Sequence, residues 1–346
     1  MSFRENMLGV GATLVALGIA CGVTWAVLRF SRRRGLMDRP NERSAHQVPM
    51  PTGGGLGIIV GFWGGWILLS IFQAGDGVIW RENLVTWGLG TAALLVMAAD
   101  DFLRPLKVGE KMILLCLATG AWLIGAGPLD GLTLPSGAWV GLGAWGWVLT
   151  AFWFLALCNA CNFMDGIDGI TGTQTISVGF FALLCLWRLD GCWTEAGLLI
   201  GATAGFLIFN FPPGRIFIGD VGSNFVGFVL AGLGILGERV GLPLWIFAAF
   251  MSYYLFDTGY TLVRRALRGE NVLRAHRKHL YQRLDRLGWS HLQIDLWVLL
   301  INALLGSGGY LYLFTSRSWG MLLMAGGGVL LLAETIWIER KDRSFV

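Results

Sequence analysis

The chain has 346 residues, 55% of them hydrophobic and 14% charged, with a mean hydropathy of +0.63. That balance excludes a water-soluble domain with an ordinary polar surface and leaves a polytopic membrane protein. The net charge is only +4, so its placement is more informative than its size, and no nucleic-acid partner is expected.

In chain order, apolar segments near the ~20-residue length that crosses a bilayer fall at about 8–30, 55–73, 84–99, 111–127, 142–158, 170–187, 195–211, 221–237, 242–263, 293–314 and 320–338. These predict an all-α polytopic membrane protein of 10 to 11 transmembrane helices, forming a single domain over 1–346. Residues 17–21, Leu-Gly-Ile-Ala-Cys, faintly match a lipoprotein cleavage site. The N-terminus has only Arg4 where a signal peptide carries a basic run, so the segment reads as a retained first span. Gly18/Gly22, Gly61/Gly65 and Gly201/Gly205 have the small-xxx-small spacing that lets helices approach closely in lipid. Six cysteines form no disulfide framework, because Cys21, Cys116 and Cys185 fall inside apolar segments and Cys192 has no evident partner. Cys158 and Cys161 form a C-x-x-C without a second pair of metal ligands nearby, and read as small packing residues.

Lys and Arg predict the orientation. With the N-terminus outside and the C-terminus inside, twenty basic residues fall on inner segments and five, Arg4, Arg81, Arg188, Arg239 and Arg317, on outer ones. The same topology brings five polar stretches to the cytoplasmic side: Asn41–His46, Asp100-Asp101, Asn159–Asp168, Gly219–Ser223 and Arg274–His279. An acidic residue within a span costs about 2.5–3.5 kcal/mol on insertion scales, so acidic clusters gathered at one interface point to a shared, cytoplasm-facing site.

Each stretch has a chemical reading beside a plainer one. Asp100 and Asp101 end a predicted span where the helix dipole disfavours negative charge, so they call for a cation unless they are simply solvated. Mg²⁺ is the hard, oxygen-preferring candidate, with Mn²⁺ as the alternative. Asn159, Asn162, Asp165 and Asp168 recur every third residue, so neighbouring pairs share a helical face, with Gly166, Gly169 and Gly172 permitting close approach. The plainer reading is a glycine-rich loop with capping side chains. Asp220 is either a helix cap or a ligand flanked by glycines that bare backbone N–H groups to phosphate. The basic loop 264–292 carries His276, Arg277, His279 and His291 and suits both anionic lipid headgroups and an anionic substrate, although topology alone explains part of its charge. Taken together, the residues describe magnesium-dependent phosphoryl chemistry at a membrane surface.

These motifs, with Pro40–Ser44, His46 and Pro51-Thr-Gly-Gly-Gly55, closely resemble the polyprenyl-phosphate N-acetylhexosamine-1-phosphate transferases, glycosyltransferase family 4, from about residue 36 to 290. The resemblance implies a multi-pass enzyme of the bacterial inner membrane. It moves an N-acetylhexosamine 1-phosphate from a UDP-sugar to undecaprenyl phosphate, with Mg²⁺, releases UMP, and initiates O-antigen or another envelope glycan; a homodimer is also implied. Carried over to this chain, the catalytic set is Asp100, Asp101, Lys111, Asp165 and Asp168, with Asp100 and Asp101 assigned to the lipid phosphate. Asn41, Arg43, Ser44, His46, Asn159, Asn162, His276, Arg277 and His279 would bind substrate, and Asp220 with Asn159 would serve the metal. The stretch His276-Arg-Lys-His-Leu-Tyr-Gln282 departs from the histidine-rich motif of the peptidoglycan and N-acetylglucosamine branches. It looks more like the branch using 6-deoxy donors, with phospho-N-acetylmuramoyl-pentapeptide transfer as the alternative.

Two other readings are weaker. A transporter would place carboxylates at mid-span within an inverted repeat; no repeat is visible and only Asp257 lies well inside a predicted span, where pairing with Arg264 or Arg265 is expected. A CDP-alcohol phosphotransferase would carry an Asp-Gly-x-x-Ala-Arg motif, which this sequence lacks.

Overall fold

The structure is a computed structural model that describes residues 3–38, 48–72, 84–272, 274 and 276–342. Asn41, Arg43, Ser44 and His46 lie outside the described residues. The long helices are α1 (Phe3–Arg34), α2 (Gly55–Phe72), α5 (Val108–Ala126), α6 (Trp145–Phe163), α7 (Ile170–Arg188), α8 (Trp193–Asn210), α9 (Gly219–Val240), α13 (His291–Phe314) and α14 (Arg317–Lys341). Between α2 and α5 the chain forms a π-helical turn, Leu84–Leu89, then α3 (Gly90–Leu95) and α4 (Ala98–Phe102). Two helices that follow α9, α10 (Leu244–Phe250) and α11 (Ser252–Leu267), meet at Met251, and α12 (Leu280–Arg286) precedes α13. Two short antiparallel pairs, β1 (Met37–Asp38) with β2 (Met50–Pro51) and β3 (Gly131–Thr133) with β4 (Trp139–Gly141), sit between helices.

Every predicted span contains helix, and among the described residues nine helical stretches are long and apolar enough to cross a bilayer: the long helices other than α8, and the composite stretch Val85–Phe102. The predicted 195–211 segment is helical as α8 but carries Glu195 and Asn210 near its ends, and 242–263 is divided at Met251. Helix α9 occupies the centre. Its side chains from Val221 to Ile235 are buried, and Phe225 and Phe228 pack edge-on against Phe62, Trp87 and Trp122. Such ring pairs add to the area they bury.

Close packing follows the small residues. A Cβ on Gly61 would lie 2.6 Å from the Ala16 carbonyl oxygen, and on Gly65 2.8 Å from that of Ala12. Gly201 and Gly205 press equally on Thr13 and Leu17 of the same helix. A methyl group on Gly18 or Gly22, in contrast, would meet nothing within 4 Å, because α1 presents Ala12, Ala16 and Ala20 to its neighbours instead. Cys158 and Cys161 are buried free thiols, and the Cys158 backbone meets Gly227 of α9, which gives the pair a packing role. Gly205→Ala is therefore expected to destabilise by about 1–3 kcal/mol through overpacking, whereas Gly18→Ala leaves stability unchanged. Thermal midpoints of the two variants in the same detergent check this contrast.

Candidate active site

The Pro51–Gly55 stretch builds the floor of the site by backbone pairing. Phe217 N–H donates to Pro51 O at 2.8 Å, and Gly54 and Gly55 N–H donate to Phe217 O and Ile218 O at 2.9 and 2.8 Å. Only glycine fits here: a Cβ on Gly55 would lie 2.2 Å from Gly222 Cα. The pairing carries Thr52 to Asp101, whose Oδ1 accepts its hydroxyl at 3.1 Å, and sets Asp220 in the first turn of α9. Gly219, at φ +76°, packs directly on the Asp101 carboxylate.

Lys111, in the first turn of α5, lies between two motifs. Its ammonium donates to Asp100 Oδ2 at 3.0 Å and to Asp220 Oδ2. Asn162 Nδ2 donates to Asp220 Oδ1 and to Ser223 Oγ, both at 3.1 Å. Asp100, Asp101, Asp165 and Asp220 all line one open cavity of ≈ 570 Å³, which is bounded on another side by residues 35–38 after α1. Asp165 follows α6 and accepts the Thr171 hydroxyl at 2.8 Å. Burial first, then the neighbouring charges of Asp220, Asp101 and Asp168, push its carboxyl up to about 7 against that hydrogen bond.

Four carboxylates line this cavity and the Lys111 ammonium pairs with two of them, Asp100 and Asp220, which leaves an excess of negative charge that a cation would relieve. Asp101 Oδ2 is buried without a hydrogen-bond partner among the described residues, a costly state for a polar oxygen. Among the described residues no three His, Cys, Asp or Glu side chains surround a common point closely enough to hold an ion by themselves. Mg²⁺ commonly takes one or two carboxylates and completes its shell with water and substrate phosphate, so the donor set fits that ion in the presence of a phosphorylated substrate.

The asparagine–aspartate run does not share one face. Helix α6 ends at Phe163, so only Asn159 and Asn162 are helical, and Asn159 Nδ2 donates to Leu155 O at 2.7 Å rather than meeting Asp220. Asp168 turns away from the carboxylate cluster: Oδ2 accepts from Gly214 N at 3.0 Å and lies 3.3 Å from His291 Nδ1. His291, which the sequence marks only as a histidine of the basic loop and not as a site residue, also places Nε2 3.7 Å from Asp285 Oδ1. It follows directly on the Ser290 helix cap.

The basic loop is largely paired within the protein, contrary to a free cationic surface. Lys278 and Arg265 both bind Glu270, at 2.6 and 3.0 Å, and Arg277 lies 3.6 Å from Asp285. His276 and His279 do come together, with ring centroids 4.9 Å apart, although neither lies in a helix. Burial, with His279, Arg265 and Lys278 adding to it, pushes His276 down to about 4, so it is neutral at pH 7. His279 is buried, with Nδ1 3.0 Å from Asp257 Oδ1.

Asp257 has a different role from the expected pairing with Arg264 or Arg265. It accepts the N–H groups of Leu280 and Tyr281 at 2.9 and 3.1 Å and the Thr261 hydroxyl at 3.0 Å. A carboxylate on α11 thus caps α12, satisfying N–H groups that helix starts leave open. Asp295 and Glu334 are further acids buried within the long helices, so Asp257 is not alone in that respect. Tyr281 OH donates to Phe163 O at 3.1 Å and packs on Gly166, tying α12 to the loop that carries Asp165.

Known proteins resemble this chain across the region that carries these residues. The description glycosyl transferase family 4 matches residues 84–238, which run from before Asp100 to beyond Asp220. The chain is 28% identical over 300 residues to the probable undecaprenyl-phosphate N-acetylglucosaminyl 1-phosphate transferase of Bacillus subtilis, covering 85% of this chain and 82% of that protein. It is 28% identical over 343 residues to the undecaprenyl-phosphate alpha-N-acetylglucosaminyl 1-phosphate transferase of Escherichia coli K12, with 92% and 89% covered. A phospho-N-acetylmuramoyl-pentapeptide-transferase of Desulforudis audaxviator is 28% identical over 331 residues, with 86% and 97% covered. Over residues 84–238 and in these relatives alike, the chain is similar to glycosyl transferase family 4 and to polyprenyl-phosphate sugar-1-phosphate transferases.

Proposed function

We propose that this protein transfers an N-acetylhexosamine 1-phosphate from a UDP-sugar to a polyprenyl phosphate such as undecaprenyl phosphate, giving a polyprenyl-diphosphate sugar and UMP. The observation that carries this reading is the meeting of Asp100, Asp101, Asp165 and Asp220 in one open cavity, with Lys111 paired to Asp100 and Asp220. The names of the relatives point to the same reaction class. A lipid phosphate oxygen attacks the phosphorus that bears the sugar; the new P–O bond forms as the bond to UMP breaks, and UMP leaves with the electron pair.

A phosphate monoester with a second pKa near about 6 is mostly a dianion at pH 7, so the nucleophile needs little help from a base. Positioning and charge compensation then supply most of the rate. Lys111 offers N–H donors to phosphate oxygens, Asn162 fixes the rotamer of Asp220, and Thr52 does the same for Asp101. Asp220, with Asp101 or Asp165, would hold Mg²⁺, which would offset charge on the diphosphate. Asp168, held by Gly214 and His291, serves the nucleotide-sugar side of the site.

The excess of Lys and Arg on one set of connections supports an N-terminus outside and a site facing the cytoplasm of a bacterial inner membrane. On a cysteine-free background, Lys107→Cys, exposed near the cavity, should react only with a reagent that reaches the inside, and Ser136→Cys, in the opposite hairpin, only from the outside. The reverse pattern would end this topology.

Purified protein given undecaprenyl phosphate, Mg²⁺ and a panel of UDP-sugars should release UMP, and Asp220→Asn should reduce that release by about a hundredfold or more while the protein still folds. Wild-type turnover in Asp220→Asn at saturating Mg²⁺ would make Asp220 a helix cap only. Donor choice is proposed to favour a 6-deoxy UDP-N-acetylhexosamine, on the strength of the His276–Gln282 departure. Arg277 reaches Asp168 through Asp285 and His291, so Arg277→Ala should change the ratio of kcat/KM between donors. Equal kcat/KM for 6-deoxy and hydroxylated donors in the wild type refutes this specificity.

A further inference from the structure

Arg283 is fully buried, yet it belongs to a seven-residue helix that is too short to hold itself together. Its guanidinium addresses the last turn of α14. Nε donates to Asp342 Oδ2 at 2.9 Å and Nη1 to Glu339 Oε1, while Nη2 faces the Ile338 and Asp342 carbonyl oxygens at 3.4 and 3.3 Å. Arg286 adds a bond to Asp342 Oδ2 at 3.0 Å. Glu339 is itself fixed by Tyr260 OH and Arg264 Nη2, both at 2.9 Å. A buried guanidinium left without these acceptors would be strongly unfavourable, so the end of α14, together with the Asp257 cap, fixes where α12 sits.

The other face of α12 meets the site. Tyr281, two residues before Arg283 and so on the far side of the helix, is fully buried. Its hydroxyl donates to Phe163 O, the last residue of α6, and fills the space over Gly166, where a Cβ would lie 2.2 Å away. Asp165 lies between those two contacts in sequence. None of Arg283, Glu339 and Asp342 lines the cavity.

We infer that the C-terminal end of α14 clamps the Asp165 loop through α12, with Glu339 and Asp342 acting as positioning residues for phosphoryl transfer; this rests on the transferase reading above. A misplacement of about 1 Å from the reacting geometry can cost on the order of a hundredfold in rate, so a remote clamp of this kind has leverage on turnover without touching substrate.

The test compares Asp342→Asn, Tyr281→Phe and the double variant as purified full-length protein, with kcat, KM and thermal midpoint measured for each. Each single change should lower kcat by about tenfold or more per folded molecule with little change in KM, the signature of lost transition-state geometry. The double should be no worse than the weaker single variant, because both act through the same helix. Wild-type kcat in Asp342→Asn, or losses that simply multiply in the double, overturns the clamp. If Asp342→Asn does not accumulate as folded protein, Glu339→Gln tests the same grip on Arg283 and is judged by the same criteria. If the wild type releases no UMP from any donor, the transferase reading fails instead. Hydrogen exchange then decides the clamp alone: Asp342→Asn should speed exchange at residues 163–169, and unchanged exchange there refutes it.

Discussion

Two backbones that touch, Gly55 against Gly222, hold the rest of the site in place. Their contact is possible because neither carries a side chain, and it lets residues 51–55 pair with Phe217 and Ile218 as a short irregular ladder. Thr52 then falls opposite Asp101, and Asp220 emerges beside Lys111. Methyl groups at this crossing would force the two helices apart and separate the carboxylates that they deliver. The glycines of both motifs are thus packing requirements.

The second constraint is electrostatic. Carboxylates this close repel one another, and the fold answers with one ammonium and an asparagine amide that binds both Asp220 and Ser223. The compensation is partial, as the orphaned Asp101 Oδ2 and the raised Asp165 show. A site left in deficit of positive charge favours the approach of a cation.

Much of this was legible in the sequence because it depends on local composition. Apolar length marked the helices, separate polar motifs marked Asp100-Asp101, Asn162, Asp165 and Asp220, and Lys111 entered only through the family resemblance. What the sequence could not show were contacts whose partners follow no period. Asp257 was expected to meet Arg264 or Arg265 by helical proximity, but it caps a helix that begins 23 residues later. Asp168 was grouped with Asp165 by a three-residue spacing that ends with α6 at Phe163. Arg277, Lys278 and Arg283 looked like a cationic surface because their acidic partners lie in other elements, at Asp285, Glu270 and Asp342.

The contacts that close the cavity join distant parts of the chain: Thr52 to Asp101 across 49 residues and Lys111 to Asp220 across 109. Spans in a bilayer insert before they associate. Until α9 packs into place, Asp100, Asp101 and Lys111 must therefore remain in water at the membrane surface, where their charge costs little. Their position at the ends of α4 and α5, rather than one turn deeper, reconciles membrane insertion with a charged reaction centre: the same carboxylates stay hydrated during biogenesis and become enclosed only when the bundle closes around them.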